Sequence, residues 1–317
     1  MSRSSDRSSS DAVSAVSASA EATGARSGRR SMGNVLRDYL ELAKPEISSV
    51  VTMSAFAGFV LGSPAGLDGW TLLWTMIGVA LCAGGVGVLN HLFERRYDAQ
   101  MKRTATRPLP SGRVSSGEAR RLGIVMVSAA VGLLCPLVNV LTAVIAALTA
   151  ALYLFVYTPL KRVTKWNTLI GTVPGALPAL GGYTAATGQL GAGGWSIFGI
   201  LACWQMPHFL ALAWMYRKDY ARGDYAMLPV VEPDGDSTAA QMMGFAAMLI
   251  PLSVLPFLVS SAGWIYGLGV LPLGLWFLWT TIVFHRERTG QKAKRVLKAS
   301  VLYVPALVAL LMVDWFV

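Results

Sequence analysis

Nine apolar stretches run through this chain, at roughly residues 47–63, 70–93, 121–138, 140–157, 167–187, 194–216, 240–261, 263–285 and 299–317. A run of about 18 or more apolar residues is long enough to cross a bilayer as a helix. Only helices and closed barrels satisfy every backbone polar group in lipid, and runs of this length are helical rather than stranded. Only 14% of the residues are charged and 54% are hydrophobic, which leaves little material for a separate soluble domain. The sequence therefore predicts an all-α, polytopic membrane protein with nine transmembrane helices, embedded in the lipid bilayer.

The connections between these stretches fall into two alternating classes. Seven of the 27 Lys and Arg residues precede the first stretch, eight lie in 94–121, three in 161–165, three in 217–222 and six in 286–298, which accounts for all of them. The intervening connections 64–69, 139, 188–193 and 262 carry no cation, and Asp68 is their only charge. Cytoplasmic loops carry the excess of Lys and Arg, so the N-terminus and the long loops are expected in the cytoplasm. The net charge of +10 is thus a topology signal. It is spread over loops rather than gathered into a stripe, which argues against a nucleic-acid partner.

Residues 1–34 are rich in Ser, Ala, Arg and Gly and lack aliphatic periodicity. They are expected to be a disordered cytoplasmic tail, with 35–317 forming the transmembrane domain. The tail resembles a mitochondrial transit peptide in its Arg and Ser content, but Asp6, Asp11 and Glu21 argue against one and for a bacterial cell (inner) membrane protein. Cys82, Cys135 and Cys203 lie within apolar stretches at no metal spacing and read as small buried residues. The two longest basic loops, 94–120 and 217–239, follow stretches two and six, as if two functional loops faced each other.

The first of these loops carries the densest chemistry. Asn90, Glu94 and Asp98 are spaced i, i+4, i+8, which drifts only about 40° per step on a helix, so all three share one face. An amide oxygen and two carboxylates suit Mg²⁺, which takes a few protein oxygens and completes its shell with water and substrate phosphates. Lys102, Arg103 and Arg107 follow, and Arg forks match phosphate oxygens. The same three residues also read as a solvent-facing helix end in which Glu94 pairs with Arg95 or Arg96. Further on, Lys161 and Arg162 sit at the end of stretch four, where cations also serve as membrane anchors, the reading kept for Lys165. His208 lies inside stretch six, and an ionisable group there is a functional candidate by default. It reads either as a haem contact or as a packing residue bonded to a neighbouring carbonyl. His91 faces away from Asn90 and reads as structural, and His285 as interfacial.

Taken together, Asn90-x3-Glu94-x3-Asp98 and the following Met101-Lys102-Arg103-Thr104-x2-Arg107-Pro108-Leu109-Pro110-Ser111-Gly112 resemble the first motif of the UbiA-type intramembrane prenyltransferases. Two later segments are similar to those of the haem O synthase branch. One is Tyr157-Thr158-x-Leu160-Lys161-Arg162-x-Thr164-x2-Asn167, and the other is Trp204-x2-Pro207-His208-Phe209 with Asp219-Tyr220 and Met227-Leu228-Pro229-Val230. The resemblance spans roughly 35–315. It departs from the wider superfamily in the second acidic motif, because no carboxylate lies four residues from Asp219, and Asp224 follows it by five.

That resemblance implies helices around a central cavity opening near the cytoplasmic side, and transfer of a farnesyl group from farnesyl diphosphate to a vinyl group of haem B. It implies Mg²⁺ held by Asn90, Glu94, Asp98 and Asp219 as the catalytic set. Lys102, Arg103, Arg107, Lys161 and Arg162 would bind the diphosphate, and His208 would contact haem. A downstream haem A synthase or terminal oxidase assembly is the implied partner. The alternatives are a prenyltransferase acting on an aromatic or quinone precursor, a membrane transporter using the acidic face for an ion, and a non-catalytic haem-binding membrane protein.

Overall fold

The structure, a computed structural model, describes residues 31–317. The chain divides after Tyr39 into two units, and the architecture below is that of Leu40–Val317. Most of the expected tail lies outside the described residues. Its boundary at 34 is corrected, because helix α1 (Met32–Leu42) already begins at Met32. The rest is all helical: α2 (Pro45–Leu61), α3 (Gly69–Asp98), α4 (Ser116–Leu137), α5 (Val140–Leu160), α6 (Asn167–Thr187), α7 (Ala192–Met215), the short α8 (Arg217–Arg222) and α9 (Leu228–Val231), then α10 (Asp236–Leu258), α11 (Trp264–Glu287) and α12 (Gly290–Phe316).

Each of the nine apolar stretches becomes one long helix. Seven of them, α3, α4, α5, α7, α10, α11 and α12, are long and apolar enough to cross a membrane. The chain is a multi-pass membrane protein. Two expected spans are not among the seven: α2 is an apolar helix of 17 residues, and α6, at 21 residues, is diluted by Gly, Thr, Pro174 and Pro178. Helix ends also extend past the apolar stretches. Thr289 caps α12 at Gly290, nine residues earlier than hydropathy places it. Helix α3 has 30 residues, about 45 Å at 1.5 Å per residue, against a hydrocarbon core of about 30 Å. Its last turns, past the apolar stretch that ends at residue 93, carry Glu94 and Asp98.

Glycines let the helices around the site come close. A Cβ on Gly58 of α2 would lie 1.9 Å from the Ala179 carbonyl oxygen of α6, and one on Gly182 of α6 would lie 1.8 Å from that of Ala55 on α2. The pair is reciprocal, so each backbone nests where the other has no side chain. Gly85 and Gly123 do the same for α3 and α4. By contrast, α7, α10, α11 and α12 meet through large buried side chains, among them Tyr266, Phe277, Phe284 and Tyr303. One side of the molecule is a solid core. The other, between α2, α3, α5 and α6, encloses an apolar slot lined by Ile47, Val51, Val86, Ala146, Pro178 and their neighbours.

Helix α5 is not uniform. Its turn at Leu152–Tyr157 is widened to i→i+5 bonding, and the Thr158 hydroxyl donates to the Tyr153 carbonyl five residues back at 2.8 Å. Such single widened turns re-aim the residues that follow and recur at functional sites. Here it directs Thr158 and Lys161 at α3. Of the three cysteines, Cys82 and Cys203 are buried as expected. Cys135 is exposed, because it falls on the outward face of α4.

Candidate active site

Asn90, Glu94 and Asp98 do share one face of α3, and they are buried at 1%, 8% and 1% exposure. Each is met by a cation from a different part of the chain. The Lys44 ammonium donates to Asn90 Oδ1 at 2.7 Å, Lys161 to Glu94 Oε1 at 2.8 Å, and Arg107 Nη1 to Asp98 Oδ2 at 2.9 Å. Asn90 Nδ2 in turn donates to Thr158 Oγ1 at 3.2 Å. The reading in which Glu94 pairs with Arg95 or Arg96 in solvent is therefore corrected. A buried carboxylate needs a partner that is itself out of water, and Lys161 arrives from α5 to supply it.

Lys44 is the residue that sequence reasoning missed. In the sequence it is one of seven cations ahead of the first apolar stretch, and in the fold it lines the slot. It precedes Pro45, whose ring disfavours the right-handed helical region for the residue before it. Lys44 instead takes a left-handed conformation, φ 50 and ψ 61, which strains a non-glycine residue by about 1 kcal/mol or more. The Lys-Pro pair directly ahead of the first apolar run was the available signal.

Two half-buried lysines near Glu94 behave in opposite ways. Burial pushes Lys44 down to about 7, only partly offset by the Glu94 charge, because its direct partner is the neutral Asn90 amide. Burial also acts on Lys161, but direct contact with the Glu94 carboxylate outweighs it and holds Lys161 well above the ordinary lysine range.

The two long basic loops meet, as expected of facing loops. Met101 from the first packs with Ala213, Tyr225 and Met227, flanked by Tyr97 and Tyr220. The second loop is also stitched to the corner after α5: Ala226 N–H donates to the Lys161 carbonyl at 2.8 Å, and Asn167 Nδ2 to the Ala226 carbonyl at 2.8 Å. Arg103 sits between the Tyr216 and Tyr220 rings, 4.8 and 4.5 Å from their centroids, which bridges the loops by cation–π contact. Arg162 lies over the Tyr97 ring at 4.0 Å and donates to its hydroxyl. Lys102 is exposed. Asp219 pairs with Arg222 on its own short helix, Arg222 Nη1 to Asp219 Oδ1 at 2.8 Å. Asp224 is exposed with φ 57.

Among the described residues, no three His, Cys, Asp or Glu side chains form a group that could hold a metal. The oxygen donors that do converge are the amide of Asn90 and the carboxylates of Glu94 and Asp98. That set suits a hard cation that takes one or two carboxylates and finds its other ligands on a substrate.

His208 stands apart from the slot, on the face of α7 that meets α12. Its Nδ1 lies 2.8 Å from the Ser300 hydroxyl, its ring stacks on Trp204 at 5.3 Å, and the Trp204 indole donates to the Ser300 carbonyl. The Ser300 hydroxyl donates its single proton to the Leu297 carbonyl at 2.7 Å. The same hydroxyl therefore ties the His208 ring to the backbone of α12. His91 is 2% exposed, and neither ring nitrogen has a hydrogen-bond partner among the described residues.

Residues 51–309 match the UbiA prenyltransferase family. The chain is 82% identical to the protoheme IX farnesyltransferase of Salinibacter ruber (strain DSM 13855 / M31) over 282 residues, 89% of this chain and 100% of that protein. Its fold is similar to that of digeranylgeranylglyceryl phosphate synthase, with a TM-score of 0.73 at 18% identity over 88% of this chain and 98% of the other. It is also similar to a UbiA homologue from Archaeoglobus fulgidus bound to DMAPP and Mg²⁺, with a TM-score of 0.63 at 17% identity over 87% and 99%.

Proposed function

Because this chain belongs to the UbiA prenyltransferase family, we propose that it transfers the farnesyl group of farnesyl diphosphate to a vinyl group of haem B, with water completing the hydroxyethylfarnesyl group of haem O. The observation that carries this reading is one juxtaposition: a buried Asn-Glu-Asp face with three cations stands directly above an apolar slot. A diphosphate belongs to the first and an isoprenoid chain to the second.

The donor set fits Mg²⁺, and a homologue of the same fold carries that ion with a prenyl diphosphate. Asn90, Glu94 and Asp98 would hold the ion, with Asp219 reaching it from the facing loop. When bound, the ion neutralises diphosphate oxygens and so favours their departure. Arg107 and Lys161 already lie against the carboxylates, so they are placed to turn from them to the incoming phosphates. Arg103 on the first loop and Arg162 in the corner after α5 close the charge around the leaving group, and Lys102 adds an outer cation. Lys44, bonded to Asn90 at the top of the slot, is placed to meet an anion there. The slot keeps water from the allylic carbon until the vinyl group has reacted.

We place His208 at the haem. Its imidazole, held in place by Ser300, is of the kind that ligates haem iron. The basic loops, the acidic face and the N-terminus belong on the cytoplasmic side of a bacterial inner membrane, and a haem A synthase or terminal oxidase assembly is the consumer this product implies. The test is to incubate the purified protein in lipid nanodiscs with haem B, farnesyl diphosphate and Mg²⁺ and to analyse the haem by mass spectrometry. Haem O is the expected product, and its absence from a folded, haem-loaded preparation overturns the assignment.

A further inference from the structure

We propose that the slot gauges the length of the prenyl chain and that Leu134 and Gly181 close its far end. This rests on the transferase reading above. The slot begins at Lys44 and Gly87, one helical turn below Asn90, and descends along α5 from Tyr153 to Thr142. Eleven residues of helix at 1.5 Å each make that wall about 16 Å long. The extended backbone of a farnesyl group, built from ordinary carbon–carbon bonds, has a length on the order of 15 Å.

The walls present hydrocarbon below the Lys44 mouth. Three of the hydroxyls that reach them are already satisfied: Ser48 donates to the Ala43 carbonyl at 2.9 Å, Thr149 donates to the Ile145 carbonyl at 2.7 Å, and Thr142 shares a bond with Thr184 at 3.0 Å. The end is also rigid. Asn139 caps α5 through the Thr142 N–H at 2.8 Å and ties it to α6 by donating to the Thr184 carbonyl at 2.9 Å. Leu134, fully buried, seats against α3 where a Cβ on Gly78 would lie 2.5 Å from its Cγ. A close-packed floor of this kind yields little to a longer chain.

Gly181 is the telling residue. Its neighbour Gly182 is required by packing, and so is Gly175, where a Cβ would lie 1.9 Å from the Gln205 side-chain oxygen. A Cβ on Gly181 would meet only Ile145 Cγ2, at 3.4 Å, an ordinary contact. Helix packing therefore does not demand glycine there. The space it leaves opens into the slot, and a side chain would fill it.

The experiment compares geranyl, farnesyl and geranylgeranyl diphosphates with haem B as acceptor, in wild type, Gly181→Leu, Gly181→Ala and Leu134→Ala. One chain segment more or less in an apolar pocket typically changes kcat/KM by about tenfold or more. Gly181→Leu should lower the farnesyl-to-geranyl preference by about tenfold, with Gly181→Ala between it and wild type. Leu134→Ala should raise the geranylgeranyl-to-farnesyl preference by a similar factor. A wild-type haem spectrum shows that each variant is folded. Unchanged preferences in folded variants overturn the gauge. So does a loss of haem affinity at unchanged prenyl preference, which would assign the slot to the acceptor. The same ratios measured as dissociation constants of the unreactive thiolo-diphosphates test the gauge even if no prenylated haem forms, an outcome that would sink the transferase reading instead.

Discussion

The two acidic motifs on the basic face differ in where their partners come from. In the first, Asn90, Glu94 and Asp98 are buried on α3 and are held by Lys44, Lys161 and Arg107, two of which lie 46 and 67 residues away. In the second, Asp219 is partly exposed and pairs with Arg222 one turn along the same short helix. A buried ion pair leaves an uncompensated charge when one partner is removed, a cost of about 3–5 kcal/mol. An exposed i, i+3 pair contributes only a few tenths of a kcal/mol. The first motif is therefore built into the fold and the second is laid against it, so the two should differ in how much a substitution disturbs.

The largest effect is expected at the first motif. Asp98→Asn or Arg107→Ala should lower haem O formation by about a hundredfold or more while haem binding survives, as for loss of a group that acts on developing charge. Near-normal turnover in either would erase the distinction between the motifs. Lys161→Met should lower both turnover and the thermal midpoint in detergent, because Glu94 is then buried alone. Adding Glu94→Gln should restore the midpoint without restoring turnover. If the double variant is no more stable than the single one, the pair is not the buried contact described.

A smaller loss is expected at the second motif. Asp219→Asn should reduce turnover by about tenfold and raise the Mg²⁺ concentration needed for half-maximal rate, whereas a loss equal to that of Asp98→Asn would make the motifs equivalent. His208→Ala lies outside both: it should weaken haem binding, read from the Soret band, with little change in farnesyl diphosphate affinity. Unaltered haem affinity would remove His208 from the site. The smallest effect belongs to Arg222→Ala, within about twofold of wild type in rate, as for an exposed ion pair.

Much of this was legible in the sequence, for a local reason. The nine apolar stretches, their alternating charge and the shared face of Asn90, Glu94 and Asp98 all follow from helical periodicity within one segment. Asp219 was legible as the odd member of a reduced motif. What stayed hidden depended on distant segments. Lys44 looked like one more N-terminal cation. The partner of Glu94 is not visible in the sequence because Lys161 follows the widened turn of α5, which no periodicity announces. The surroundings of His208 needed Ser300, 92 residues away. Gly181 and Gly182 are indistinguishable in sequence, yet one is forced by α2 and the other faces the slot.

The sequence by itself determined the all-α membrane class, the gathering of the cations into alternate loops, and the shared face of Asn90, Glu94 and Asp98. Each depends only on hydropathy, charge and the 3.6-residue repeat. Tertiary structure decided which cation meets which oxygen, that an apolar slot opens beneath them, and where that slot ends. Those outcomes depend on how closely helix backbones approach and which side chains are left to fill the gaps, and packing between distant segments settles that.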